Sequence, residues 1–360
     1  MATVINTDAL NLSAKENQDF ASFVSEQIFQ RPDLKMLHKV FTGVKMDEQI
    51  VLASALGKTG VKGDSTCTRK QSGAGIVLSE KKWQPKGIED TLVHCNATLN
   101  GLFKAYFDKI TAYKQKYDIT GSNEEVFISL LLEQSAIENV YRASWFSDTN
   151  VDAADGTTAG LKDVADVKFY DYFDGIFKQI FDGVSTGKIK RYIITANTAS
   201  TPEAQEALNA GDSVAFFEGV WKNADPRLKA DPNAILYVSE SIFENYRQYL
   251  QSKGENFSID YTQEGFQSLK WNGKKVINMA TIWGGYPKED FVDNTTNNAY
   301  YLPNRIVFST PENLPIATMN ENDFNEIESW YERKDREFYL SYGFSLDAKV
   351  IEEYMISVAY

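Results

Sequence analysis

Cysteine and histidine are nearly missing from this chain: Cys67, Cys95, His38 and His94 are the only four such residues among 360. Two cysteines are too few for a disulfide framework in a chain this long, so both are expected to be reduced and at least one buried. The four side chains equal zinc's usual ligand number. No Cys-x-x-Cys or His-x-x-x-His pair pre-organises them, which argues against a metal centre. His94 and Cys95 are expected on a helix, one partly exposed and one packed. Neither Gly-x-x-x-x-Gly-Lys-Ser/Thr nor Gly-x-Gly-x-x-Gly occurs, so a nucleotide cofactor is not expected, and the cofactor assignment is none. Apolar runs also fall short of the roughly 18 to 20 residues that a membrane helix needs. The opening Met-Ala-Thr-Val-Ile-Asn-Thr-Asp lacks the basic start and apolar core of a signal peptide, and the chain is expected to be cytoplasmic when made.

Two literal motif matches fail on their surroundings. Gly183-Val184-Ser185-Thr186-Gly187 has the Gly-x-Ser-x-Gly wording of a nucleophile elbow, which requires a strained strand-to-helix turn. Here it follows a helical stretch, and both histidines precede the serine, so a plain turn is expected. Asp148-Thr149-Asn150-Val151-Asp152 starts like a calcium loop, where alternate oxygens converge on a hard cation. Ala153 stands where that loop needs glycine and Ala159 where it needs a bidentate glutamate, which leaves a solvated Asx-turn as the expectation. Asp171 and Asp174 are expected on neighbouring helical positions facing solvent. No catalytic, cofactor-binding or metal-binding residue is assigned.

Aromatic residues and an uneven charge distribution are what the chain does have. Its 43% hydrophobic and 24% charged content is ordinary for a soluble globular protein, long enough for more than one lobe. Aromatics reach 13%, with 22 Phe and 19 Tyr, which favours broad contact surfaces as well as core. Net charge is −13, yet residues 51 to 120 hold 11 Lys and Arg against 6 Asp and Glu. A basic arm laid on an acidic neighbour gains orientation and association rate from that contrast; a solvated face is the alternative. The acidic total argues against a dedicated nucleic-acid reader.

Along the chain, Ser13-Ala14-Lys15-Glu16 is a capping box, followed by Phe20, Phe23, Val24 and Ile28 on one helical face. Arg31-Pro32 is expected to end that helix and Lys35 to Val51 to be extended. Residues 57 to 87 hold six glycines among Lys and Arg and read as a long two-stranded excursion, either mobile or ordered by a partner. Helical spacing runs through Asp90 to Tyr117 and again through Ser122 to Trp145, which opens with the capping box Ser122-Asn123-Glu124-Glu125. A polar loop over 147 to 166, an amphipathic helix Phe169 to Phe181 and a helical stretch from Pro202 to Asn209 follow.

Past Asp225-Pro226, the order is a strand ending at Ser239, which is placed to cap a helix over Glu240 to Leu250. A hairpin follows, its strands Phe266 to Trp271 and Lys275 to Thr281 flanking Asn272-Gly273-Lys274. Arg305 to Ser309 reads as a buried strand, Pro311 to Pro315 as a turn, and Ile327 to Tyr331 with Glu337 to Phe344 as paired strands of alternating polarity. Gly284 to Asp290 and the run Asp293 to Asn298 form a long loop, expected at a tip or as a plain surface loop.

This order, with "Ile-Leu-Tyr-Val-Ser", a Tyr-rich helix, "Ile-Val-Phe-Ser-Thr-Pro-Glu-Asn-Leu" and a closing strand pair, resembles tailed-phage major capsid proteins of the Hong Kong 97 fold. The resemblance implies an α+β capsid fold. It divides the chain into an N-terminal arm (1–50), an extended β-loop (51–89), a peripheral domain with a spine helix at Ser122 to Trp145 (90–200), an axial domain (201–305) and C-terminal strands returning to the peripheral domain (306–360). It further implies a structural subunit of an icosahedral head, self-assembling as pentamers and hexamers around double-stranded DNA without sequence-specific binding. Portal, scaffolding and decoration proteins are implied partners, and the virion capsid, assembled in the host cytoplasm, is the implied location. Inter-subunit contacts are expected at Phe20, Phe23, Lys62, Arg69, Lys70, Lys81, Lys82, Trp83, Tyr286, Lys288, Glu289 and Asp290. Two other readings stay open: an encapsulin-like nanocompartment shell, and a carbohydrate-binding protein or glycoside hydrolase whose six tryptophans stack on sugar rings.

Overall fold

A computed structural model describes residues 28–29, 31–53, 78–117, 123–150, 167–195, 199, 201–254, 260–262, 266–291, 300–319 and 327–360. Helix α1 (Pro32–Leu37) and strand β1 (Val40–Phe41) lead to an antiparallel ribbon of β2 (Gln49–Ala53) and β3 (Leu78–Lys82). Strand β4 (Lys86–Cys95) precedes two long helices, α2 (Asn96–Tyr117) and α3 (Asn123–Phe146), and the shorter α4 (Ile176–Ser185). Next come β5 (Lys190–Tyr192), α5 (Pro202–Gln205), α6 (Asp212–Asn223), α7 (Pro226–Ala230), β6 (Ile235–Val238) and α8 (Glu240–Ser252). Strands β7 (Asp260–Tyr261), β8 (Gln267–Trp271) and β9 (Lys274–Asn278) are followed by two single turns, α9 (Ala280–Trp283) and α10 (Tyr286–Glu289). Strands β10 (Ile306–Ser309), β11 (Ile316–Ala317), β12 (Glu328–Glu332), β13 (Glu337–Ala348) and β14 (Ser357–Ala359) complete the order.

Seven strands form one sheet in the order β5-β14-β10-β6-β9-β8-β7. Its strands β6 and β10 are almost wholly apolar and buried because helices cover both faces there. Side chains alternate between those faces. Leu236, Val238, Ile306 and Phe308 join Phe217 and Val220 of α6 and Ile242 and Phe243 of α8 in one core. Ile235, Tyr237 and Val307 join Trp145 of α3, Phe177 of α4 and Trp283 in the other. The β8–β9 hairpin turns on Asn272 and Gly273 at φ of 48° and 77°, the left-handed pair that an Asn-Gly sequence favours.

A second sheet runs β1-β11-β13-β12, with β4 paired along β13 from Lys86↔Leu346 to Cys95↔Glu337. Phe338, Leu340 and Tyr342 turn inward into the core that also holds Phe103 of α2 and Phe127 of α3. There the Tyr342 hydroxyl accepts from Asn139 Nδ2 at 2.7 Å. Between the two sheets, Trp145 Nε1 donates to His38 Nε2 at 3.1 Å, and His38 Nδ1 meets the Leu314 carbonyl at 2.8 Å. The ring is therefore neutral with its proton on Nδ1, and burial pushes His38 down to about 4.

Several sequence expectations are corrected. Residues up to Cys95 of the expected helix Asp90 to Tyr117 are strand instead. Their half-buried and exposed positions alternate, and the long strand β13 supplies a hydrogen-bonding partner along their whole length. His94 and Cys95 thus lie on a strand, and Cys95 is exposed rather than packed, while Cys67 falls outside the described residues. Residues 28–29 are helical and Arg31 is not, in keeping with the expected end, but Pro32 also starts a new helix, since at the first helical position its missing amide has no partner to lose, and the stretch from Lys35 is not all extended. Helix α4 begins at Ile176, not Phe169: Gly175 before it is extended, at φ −69° and ψ 179°, and packs so close to Ser147 that a Cβ would sit 3.0 Å from that backbone. Asp171 and Asp174 are consequently not helical, and Asp174 Oδ1 accepts from the Thr149 hydroxyl at 2.7 Å. Ser239 occupies the N-cap of α8 without capping it, since its hydroxyl accepts the Arg305 amide at 3.2 Å.

Helix α6 was not foreseen. Its Gly219 is a close-approach glycine: a Cβ there would lie 2.2 Å from the Tyr192 ring on β5. Gly219→Ala is expected to displace that edge strand and lower stability by about 1–3 kcal/mol, measured by urea denaturation. An unchanged midpoint would show that Tyr192 swings aside freely.

Candidate assembly surfaces

The extended ribbon β2–β3 is rooted on its own chain. Trp83 is 4% exposed and packs with Phe41, Val44 and Ala317, its ring centroid 5.9 Å from that of Phe41. Lys81 Nζ donates to the Val350 carbonyl at 2.6 Å and pairs with Glu353 at 3.0 Å. One residue beyond Trp83, the Gln84 amide donates to Asp347 Oδ2 at 2.8 Å, a fully buried carboxylate also paired with Lys349 at 3.1 Å. Burial raises the Asp347 pKa against the pull of Lys349. These contacts tie the base of the ribbon to the rest of the chain. Of the residues expected to meet a neighbour, Trp83 and Lys81 are thus engaged inside their own chain, whereas Lys82 is exposed. Phe20, Phe23, Lys62, Arg69 and Lys70 lie outside the described residues.

The loop after β9 is clamped at its base. Phe291 and Tyr300, on its two limbs, stack with centroids 4.7 Å apart. The Tyr170 hydroxyl donates to Asp290, and burial together with that carboxylate holds the phenol protonated. Tyr300 donates to Asp148 Oδ2 at 2.9 Å, while Asp148 Oδ1 accepts the Asn150 amide at 2.8 Å. The expected Asx-turn is there, but buried rather than solvated. Tyr286 packs edge-on to Phe146 at 5.5 Å, and the short helix α10 carries Lys288 and Glu289 along the same loop. Residues 292–299, including the run Asp293 to Asn298, lie outside the described residues.

One exposed surface escaped the sequence reading. Strand register sets Val93, Tyr339 and Trp330 in a row across β4, β13 and β12, on the face turned away from the buried residues Phe338 and Leu340. Trp330, 37% exposed, stacks on Tyr339 at 5.1 Å with nearly parallel rings, and Val93 is 47% exposed. The alternating polarity of these strands hinted at an outer face, but only the pairing brings the three residues together.

The tryptophans offer no common platform for a sugar. Trp145 and Trp283 meet in one core at 5.4 Å, Trp221 and Trp271 meet at 5.5 Å against the other, and Trp83 belongs to a third cluster. Ser185 of the Gly-x-Ser-x-Gly sequence sits in the last turn of α4, its hydroxyl donating to the Asp182 carbonyl at 2.8 Å. Among the described residues, no group of three or more His, Cys, Asp or Glu side chains is placed to hold a metal ion.

No protein-family model matches the sequence, and no curated protein matches it. Solved structures do. A chain of the satellite phage P4 procapsid, which includes a size determination protein, superposes at a TM-score of 0.50 with 11% identity, covering 93% of this chain and 96% of that one. The chain has the Hong Kong 97-like capsid fold. Chains from Mycobacterium phage Ogopogo (TM-score 0.48, 10% identity, 91% of each chain covered) and from the capsid of a native GTA particle (TM-score 0.48, 11% identity, 91% of this chain and 88% of that one) are also similar. Within the capsid fold, α3 fills the stretch expected as the spine helix, 24 residues long and lined with buried side chains from Val126 to Phe146.

Proposed function

We propose that this chain is the major capsid protein of a tailed double-stranded DNA phage. Copies associate as pentamers and hexamers, close into an icosahedral head and enclose the genome without reading its sequence. The observation that carries this reading is the fold similarity to a P4 procapsid chain over nearly the whole length of both chains. Two features favour it further. The base of the ribbon is tied to its own chain at Trp83 and Lys81, which leaves the segment beyond it as the part proposed to meet a neighbour. The basic stretch from 51 to 120 also opposes an otherwise acidic surface, which suits copies meeting copies. Lys82, Tyr286, Lys288, Glu289 and Asp290 remain candidate contacts, with Phe20, Phe23, Lys62, Arg69 and Lys70 reaching a neighbour from the arm and loop. Portal, scaffolding and decoration proteins complete the proposed partners, in a head assembled in the host cytoplasm. The role asks for no catalytic group.

Size-exclusion chromatography of concentrated protein, followed by negative-stain imaging, is expected to give capsomers or shells. Assembly is expected to slow as salt rises from about 0.01 M to 0.15 M, where the screening length falls from roughly 30 Å to 8 Å. Persistent monomer at high concentration, together with turnover of a polysaccharide, would return the chain to the hydrolase reading. Shells that enclose a protein cargo in place of DNA would assign it to the nanocompartments.

A further inference from the structure

The seven-strand sheet has two open edges. At one end β5 pairs with β14 alone, and at the other β7 pairs with β8 alone. The Ile194 amide donates to the Tyr360 carbonyl at 3.2 Å, which turns the backbone groups of residues 190, 192 and 194 toward β14. Arg191 and Ile193, one step out of phase, turn theirs to the open side, and no strand among the described residues receives them. Ile193 is 67% exposed, more than any other large apolar side chain among the described residues. An uncovered apolar edge of this kind is a template for another chain.

The two edges carry opposite charge. Residues 186 to 195 hold Lys188, Lys190 and Arg191 and no Asp or Glu, whereas residues 254 to 265 hold Glu255, Asp260 and Glu264 and no Lys or Arg. On the basic edge Arg191 is engaged within its own chain, its Nε and Nη2 donating to the Tyr360 carbonyl at 3.1 and 2.9 Å. Lys190 is exposed and enters no ion pair among the described residues. On the acidic edge, Asp260 stands in β7 itself. Two β5 edges brought together would set lysine against lysine, and like charges opposed across strands are destabilising. We propose that the β5 edge of one copy of this chain docks on the β7 edge of the next, with the charge of Lys190 set against that of Asp260. Because the two edges differ, the contact is head-to-tail and repeats from copy to copy until a ring closes. Resting on the capsid reading, it supplies the step by which copies form that ring.

Sedimentation velocity of the full chain over a concentration series provides the test. Lys190→Glu and Asp260→Lys are each expected to raise the concentration for half-association about tenfold, since each opposes like charges. An equimolar mixture of the two is expected to associate like wild type, because alternating the two chains opposes unlike charges at every contact. Amide hydrogen exchange of the unmodified protein decides the matter if either variant does not fold: Arg191 and Ile193 are expected to exchange more slowly in associated than in monomeric protein. Variants that associate as wild type does, a mixture as weak as its components, or unchanged exchange at both amides would overturn the contact and leave the capsid reading standing. Recovery of Lys190→Glu on mixing with wild type rather than with Asp260→Lys would also overturn it, in favour of two β5 edges meeting. Wild-type protein that stays monomeric at every concentration would overturn both.

Discussion

Trp145→Ala is expected to leave almost no folded protein. Trp145 is fully buried at the end of α3, where four aromatic side chains from four parts of the chain converge on it. Its ring lies 5.4 Å from His38, 5.3 Å from Phe177, 6.0 Å from Tyr237 and 5.4 Å from Trp283. Truncating a buried tryptophan costs about 3–5 kcal/mol in transfer and cavity terms. The change also strips His38 Nε2 of its donor in a site without water access, which adds about 1–3 kcal/mol. Against a typical total of about 5–15 kcal/mol, that loss removes most or all of the margin. Soluble yield and the urea midpoint provide the measurement, with Trp330→Ala as the surface control expected within about 1 kcal/mol of wild type. A midpoint for Trp145→Ala that matches this control would mean that the aromatic hub is not what joins the two sheets.

Acid is expected to attack the same junction. His38 accepts from Trp145 on Nε2 and donates to Leu314 from Nδ1, so a second proton on Nε2 would face an N–H rather than a lone pair. Burial holds its folded pKa near 4, below the ordinary 6.5 that the unfolded chain retains. The unfolded state therefore takes up the proton first as pH falls. The stabilising effect is complete above 6.5, shrinks between 6.5 and about 4, and levels off below that. At about 1.4 kcal/mol per pH unit the full loss is on the order of 3 kcal/mol. Carboxylates whose folded pKa is lowered, such as Asp33 beside Arg31 and Glu353 beside Lys81, also lose stability in acid. His38→Gln isolates the histidine because the amide does not titrate. Urea denaturation from pH 7.5 to 4 should give a steeper decline for wild type than for the variant; parallel profiles would remove His38 from the account.

The sequence was most readable where one residue pair or one long periodic stretch decides the local structure. Asn272-Gly273 dictated its hairpin, and the apolar runs at Ile235 and Ile306 became central strands. The expected spine helix matches α3 to within a residue at each end, since its first turn carries Glu124 and Glu125 and its apolar residues persist for 24 positions. Strand β4 was misread because Leu92, Leu99 and Phe103 happen to fit a helical repeat, while the partner that makes a strand of residues 86–95 lies some 240 residues away at β13. Helix α6 escaped for the opposite reason. Gly219 and the β-branched Val214 and Val220 weaken its local propensity, and tertiary packing against β5 and β14 supplies what the sequence lacks. Among the candidate contacts, Trp83 is buried in its own chain, against Phe41 and Ala317, neighbours that no local pattern connects to it. The row Val93, Tyr339 and Trp330 was hidden likewise, because register between distant strands is not written in any one of them.

Strand β14 lies between β5 and β10, yet β5 is made more than 160 residues earlier. On the ribosome, then, the large sheet stands divided until residues 357–359 emerge, with one flank of β10 open and β5 lacking its parallel neighbour. So distant a pairing makes completion of the sheet slow, because the entropy of closing the chain between β5 and β14 comes before the contact rewards it. During that interval the uncovered flank of β10 is a template for mispairing with another chain.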